Sequence, residues 1–109
     1  MKKTSIFDYY WEVVYDLTDD IAKRYMIYYP DEDFLRVYPG SYIPDTYDPK
    51  KTKWYQLYQD SPGTLFGTED YEDELAPGTE RVLALGIQLT GGGLFICEIP
   101  IAKIYSILD

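Results

Sequence analysis

Residues 36–55 constrain the chain most. They contain Arg36-Val37-Tyr38-Pro39-Gly40 and then Tyr47-Asp48-Pro49-Lys50-Lys51-Thr52-Lys53-Trp54-Tyr55. Aromatic rings stand among turn formers and charges, with no apolar run, so the stretch is not simple core filling. Pro39-Gly40 forces a turn, and Pro44 and Pro49 keep the residues before them extended. Lys50 to Tyr55 has no helix breaker. The pattern predicts a strand ending at Tyr38, a crossover loop of about ten residues, and a helix beginning near Lys51. A loop of that length in a small domain is usually functional or disordered, and its Tyr and Trp content argues against disorder.

The chain has 109 residues, the length of one domain with a modest core. We therefore expect a single domain over 1–109. There are 13 Tyr, and the amphipathic phenol ring serves both as core filler and as contact surface. The formal charge of −9 disfavours nucleic acid and anionic membranes as partners and is compatible with cationic ones. No His is present, which removes the commonest general base and metal ligand. Cys97 is the single Cys; it cannot form an internal disulfide, and in an apolar strand it is expected to be an inert thiol. No segment has the length of an apolar membrane span. Met1-Lys2-Lys3 resembles the start of a signal peptide, but Asp8 and Glu12 interrupt any apolar region after it. The expectation is a soluble protein or an excised domain of a larger one.

Apolar residues at Ile6, Tyr9, Tyr10, Val13, Val14 and Leu17 predict a helix over 4–20. Ile21 to Tyr29 and Phe34 to Tyr38 read as a hairpin around the turn Pro30-Asp31-Glu32-Asp33. The carboxylates of that turn lack the ligand spacing of a calcium loop and are expected to be solvated. A short helix follows over 51–60, with Trp54, Leu57 and Tyr58 on one face. Ser61-Pro62-Gly63 ends it, and Thr64 to Gly67 reads as a short strand. Residues 68–78 are strongly acidic, a solvated loop for most of their side chains. Arg81 to Leu89 and Leu94 to Ile99 form a second hairpin around Thr90-Gly91-Gly92-Gly93. This glycine run joins two strands and lacks the Lys-Ser/Thr of a phosphate loop. Pro100 suits the first turn of a closing helix over 100–108. The fold class is α+β, an antiparallel sheet of about five strands with helices on its faces.

The motif around residues 38–55 resembles the signature of Cache sensor domains: a strand ending in Tyr-Pro-Gly, then Tyr-Asp-Pro, basic residues and Trp-Tyr. It is most similar to the Cache modules of bacterial chemoreceptors and of the alpha-two-delta subunits of calcium channels. Ser61-Pro62-Gly63 and Tyr71-Glu72-Asp73 stand where that family has a turn and a Tyr-x-Asp. Gly93 to Ile99 resembles its last strand, which usually carries Asp where Glu98 stands. The likeness runs from about Tyr25 to Leu108. It implies a PAS-like sheet behind a long N-terminal helix, an extracytoplasmic location and a ligand pocket. This chain would hold one ligand-type module only.

The resemblance also implies site residues. In amino-acid-sensing members an Arg grips the ligand carboxylate, while the last-strand acid and the Tyr-x-Asp loop grip the ammonium. Tyr47, Trp54, Tyr55, Tyr71 and Asp73 match, Glu98 is a conservative departure, and Tyr38 opens the loop. The carboxylate-gripping position is Thr52. Its one neutral hydroxyl in place of a guanidinium fork would cost roughly ten- to a thousand-fold in affinity. That leaves either a pocket for a cation without a carboxylate, held by acids and aromatic rings, or a vestigial pocket. Trp54 divides evenly between core and pocket. Glu98 either faces solvent or meets a cation such as Arg81, Lys103 or a ligand, because burial alone is costly.

The first functional expectation is a sensor module that binds a small amine or amino acid in a pocket of the 38–55 loop, the Tyr71–Asp73 loop and the last strand. Its partners would be that ligand and a parent receptor, with no nucleic acid, no cofactor, no metal and no membrane contact by this segment. The second is a ligand-free structural or protein-interaction module. A third, an acidic mimic of nucleic acid, ranks lower because the acids cluster in two turns. No nucleophile context or phosphate loop suggests an enzyme.

Overall fold

A computed structural model describes residues 21–40, 42–60, 65–89 and 91–108. The helix expected over 4–20 and the turn at 61–63 lie outside the described residues. The elements are β1 (Arg24–Tyr29), β2 (Phe34–Tyr38), a 3-10 turn (Pro49–Lys51), α1 (Lys53–Asp60), β3 (Phe66–Gly67), β4 (Tyr71–Glu72), β5 (Arg81–Gln88), β6 (Leu94–Pro100) and α2 (Ile101–Leu108). The strands form one antiparallel sheet in the order β2-β1-β6-β5-β3, with β4 also paired to β5. The class is the expected α+β, with six strands where about five were expected. The additional one is β4, inside the acidic run.

Local sequence explains the hairpins. In the β1–β2 turn Asp33 adopts a positive φ of 49°, a region that Asp tolerates better than most residues. Its carboxylate accepts a hydrogen bond from the Tyr28 hydroxyl at 3.0 Å. Burial and that neighbouring charge push the Tyr28 phenol well above its ordinary range. Between β5 and β6, Gly91 and Gly92 have φ of 94° and 93°, where a side chain would be strained.

Pairing of β1 with β6 brings the early and late parts of the chain into the sheet centre, with Arg24 opposite Glu98. Every residue of β1 is buried, as a central strand covered on both faces requires. Period-2 alternation sorts its side chains. Met26 and Tyr28 join Val82, Ala84, Leu94 and Ile96 in a core covered by Trp54 and Tyr55 of α1 and by Tyr71. Tyr25, Ile27 and Tyr29 join Phe95 on the opposite face, with Tyr38 and Cys97 packed against them. Burial and then the nearby charge of Glu98 push the half-buried Cys97 thiol up to about 11, so it stays protonated at neutral pH.

One close approach brings β3 and β5 together. A Cβ on Gly86 would lie 2.4 Å from Phe66 Cζ and 2.8 Å from Ile96 Cδ1. Gly86→Leu is expected to lose about 1–3 kcal/mol through overpacking. Urea denaturation would show it as a lower midpoint with an unchanged slope.

Candidate functional site

The site begins with a buried charge cluster on the α1 side of the sheet. Arg24 opens β1, Glu98 lies opposite it on β6, and Asp73 follows β4. Arg24, Asp73 and Glu98 are 5%, 0% and 3% exposed, so none of their charges is left to solvent. The Arg24 guanidinium grips Asp73 as a fork: Nη1 donates to Oδ1 and Nη2 to Oδ2, each at 2.8 Å. Nη1 also donates to Glu98 Oε1 at 2.6 Å. Lys23 Nζ adds a contact to Asp73 Oδ2 at 2.6 Å and reaches Glu80 at 2.9 Å. Tyr71 donates its hydroxyl to Glu98 Oε2 at 2.6 Å. The Leu75 and Ala76 amides donate to Asp73 Oδ1. All four carboxylate oxygens therefore have partners within the chain, as burial of charge demands.

These contacts set the protonation states. Burial alone would raise the Asp73 carboxyl, but the hydrogen bonds from Arg24 and Lys23 outweigh it and hold it below its ordinary range. Burial works against the charge of Arg24, and its bonds to Asp73 and Glu98 reverse that and raise it. Asp73 is thus held as an anion between the cations of Arg24 and Lys23. The Tyr71 phenol is pushed far up, first by burial and then by the charge of Glu98.

Glu98 was expected either to face solvent or to meet a cation such as Arg81, Lys103 or a ligand; it is buried, and its cation is Arg24. Arg81 pairs instead with Asp70 at 2.6 Å on the surface. Sequence patterning carried no signal for Arg24, because only the register of β1 on β6 places it against residues 49 and 74 positions away.

The other expected residues divide between core and cleft. Tyr38 lies on the opposite face of the sheet, packed against the Tyr25 cluster; alternation along β2 carries it away from Asp73. Thr52 is 3% exposed and caps α1: Oγ1 donates to the Pro49 carbonyl at 2.7 Å and accepts from the Tyr55 amide at 3.2 Å. Thr52→Val removes this cap and is expected to lower stability by about 0.5–2 kcal/mol, measurable by chemical denaturation. Trp54 is fully buried, edge-on to Tyr28 at 6.0 Å and to Tyr55 at 6.4 Å between ring centroids. Its indole N–H makes no hydrogen bond of good geometry, though it lies near the Tyr47 hydroxyl. Tyr55, 8% exposed, packs beside it.

Tyr47 and Tyr71 reach open space. A cleft of about 510 Å³ lies between the start of α1 and the segment after β4, walled by Lys51, Lys53, Gln56, Tyr71, Glu72 and Glu74. A smaller recess of about 190 Å³ adjoins it beside Tyr47, sharing Lys51 and Glu74. One wall thus carries ammonium groups and the other carboxylates. Burial, followed by repulsion from Glu98, Asp73 and Glu72, raises the Glu74 carboxyl above its ordinary range. Its anion is under-compensated and favours a nearby cation. Lys51 and Lys53 flank Thr52 and are the basic groups at hand to replace the absent guanidinium, though a flexible ammonium does not reproduce its fork; Glu72 and Glu74 carried no signal except their place beside the motif. Among the described residues no group of three or more Cys, Asp or Glu converges on a metal site.

No family model and no curated protein matches the chain. Two solved structures of the ligand-binding domain of the Pseudomonas aeruginosa PAO1 amino acid chemoreceptor PctB share its fold. The one with L-Gln has a TM-score of 0.71 and 21% identity, covering 85% of this chain and 38% of that one. The one with L-Arg has a TM-score of 0.70 and 20% identity, covering 85% and 40%. The chain spans about two-fifths of the length of these structures.

Proposed function

From the Cache-type fold shared with those chemoreceptor domains, we propose that this chain is a ligand-sensing module for a small amine or amino acid. The ligand sits in the cleft between the 38–55 loop and the segment after β4. One observation carries the reading: within that fold, the open cleft lies between the two segments where the resemblance implies a ligand, with Lys51 and Lys53 on one side and Glu72 and Glu74 on the other. Lysine ammonium groups suit a carboxylate, and the raised Glu74 suits an ammonium. Tyr71 and Tyr47 supply aromatic walls for a cation. The module belongs to a larger receptor and works outside the cytoplasm, as the resemblance implies. No helix among the described residues is long and apolar enough to cross a membrane. Signalling rather than catalysis is the role.

A thermal-shift screen of amino acids, biogenic amines and polyamines tests this, repeated with Glu74→Gln and Lys51→Gln. A ligand at one hundred times its Kd stabilises by about 2.7 kcal/mol, a rise of several degrees. Glu74→Gln should weaken it about ten-fold or more, the loss of one charged hydrogen bond. A flat screen with folded protein overturns the reading.

The second reading, a ligand-free interaction module, is favoured by a different observation. The acids that would hold an ammonium hold Arg24, and Thr52 is used as a helix cap. A flat screen selects it.

A further inference from the structure

We propose that Arg24 is a built-in occupant of the Asp73–Glu98 pair and sets the ligand specificity of the module: it shuts free ammonium and guanidinium ligands out of that seat. Any ligand of the native chain is then recognised from the outer cleft alone. Three observations lead there. The guanidinium makes a two-pronged contact with Asp73 and a third contact with Glu98. This is the geometry by which a carboxylate pair receives a guanidinium or alkylammonium ligand. Secondly, the seat is closed to solvent by the chain itself, with Asp73 at 0% and Glu98 at 3% exposure. Thirdly, its remaining acceptors are already oriented by Tyr71 and by the Leu75 and Ala76 amides. The anionic pair is a preorganised cation receptor whose cation is covalently attached through β1.

Tethering decides the competition. Arg24 is held at the seat by strand pairing that places it opposite Glu98, so its effective concentration there far exceeds that of a millimolar solute. A free amine would also have to leave the Arg24 charge buried without a partner, which is strongly unfavourable. Outer-cleft residues face no such competitor. The consequence for ligand choice rests on the sensor reading; the existence of the seat does not, and it is tested without a native ligand.

Arg24→Ala removes the tethered cation and leaves the acids. The expected result is saturable stabilisation of the variant by methylguanidinium or ethylammonium in the millimolar range. Equal NaCl should give no such rise, and any response of the wild type to either cation should vanish with Glu74→Gln, which marks it as the outer cleft and not the seat. Adding Glu98→Gln to the variant should weaken the effect by about ten-fold, as one charged contact is lost. A folded Arg24→Ala protein that responds to these cations no more than to NaCl overturns the proposal. The wild type supplies a second measurement if the variant does not fold. Its Arg24 side-chain nitrogen resonances are followed by NMR during titration with methylguanidinium, ethylammonium and the amino acids of the screen. Unmoved resonances support the built-in occupant, and displacement of Arg24 overturns it. Absence of any amino acid or amine response in the wild type would sink the sensor reading while leaving the Arg24→Ala result to judge the seat.

Discussion

Asp73→Ala is expected to lose about 3–5 kcal/mol of folding stability, because it leaves a buried cation without its partner. Asp73 is fully buried and receives bonds from Arg24, Lys23 and two backbone amides. Removing the carboxylate also strips the turn at Leu75 and Ala76. In a domain of this size the loss lowers Tm by more than about 10 °C. Differential scanning calorimetry at neutral pH checks this, and a fall of only a degree or two would show that Asp73 is not ionised and buried as described. Replacing the whole group with apolar residues of similar volume, Arg24→Met with Asp73→Leu and Glu98→Met, should cost much less than the single change.

The same carboxylate sets an acid limb. Its folded pKa is depressed below the ordinary 3.8, so its contribution is present above that value and lost as pH falls through the folded pKa. Lys23 has the opposite sign. Its folded pKa is raised above 10.5, so its contribution is full below that value and disappears as pH rises through the folded one. Stability against pH should therefore fall at both extremes. Asp73→Asn should flatten the acid fall relative to wild type.

Trp54→Ala is expected to cost about 3–5 kcal/mol in the absence of any ligand, the usual range for deleting a fully buried Trp. Its ring is buried against Tyr28 and Tyr55. Trp54→Phe should cost far less, because the indole N–H forms no good hydrogen bond that the change would lose. Chemical denaturation of the two variants separates core from pocket. A Trp54→Ala protein as stable as wild type would return Trp54 to the ligand side.

The hairpins, α1 and the closing helix were legible from periodicity and punctuation. Phe34–Tyr38 and Ile101–Leu108 occur where the sequence placed them, because alternation, Pro39-Gly40 and Pro100 act over a few residues. The tight turn at Gly91 and Gly92 is local in the same way. Parts of the 38–55 motif and of the Tyr71–Asp73 segment line the open cleft and its neighbouring recess. What Asp73 and Glu98 bind was not legible. Their partner comes from β1, and only the antiparallel register of β1 on β6 brings Arg24 to them. Tyr38 was misplaced for a related reason: its motif position said that it belonged to the loop, and the pleat of β2 turned its side chain to the other face. Sequence alone determined the two hairpins, α1 and the closing helix, because those depend on local propensity and hydrophobic period. Tertiary structure decided which charges meet, because ion pairing depends on strand register, to which neither propensity nor period is sensitive.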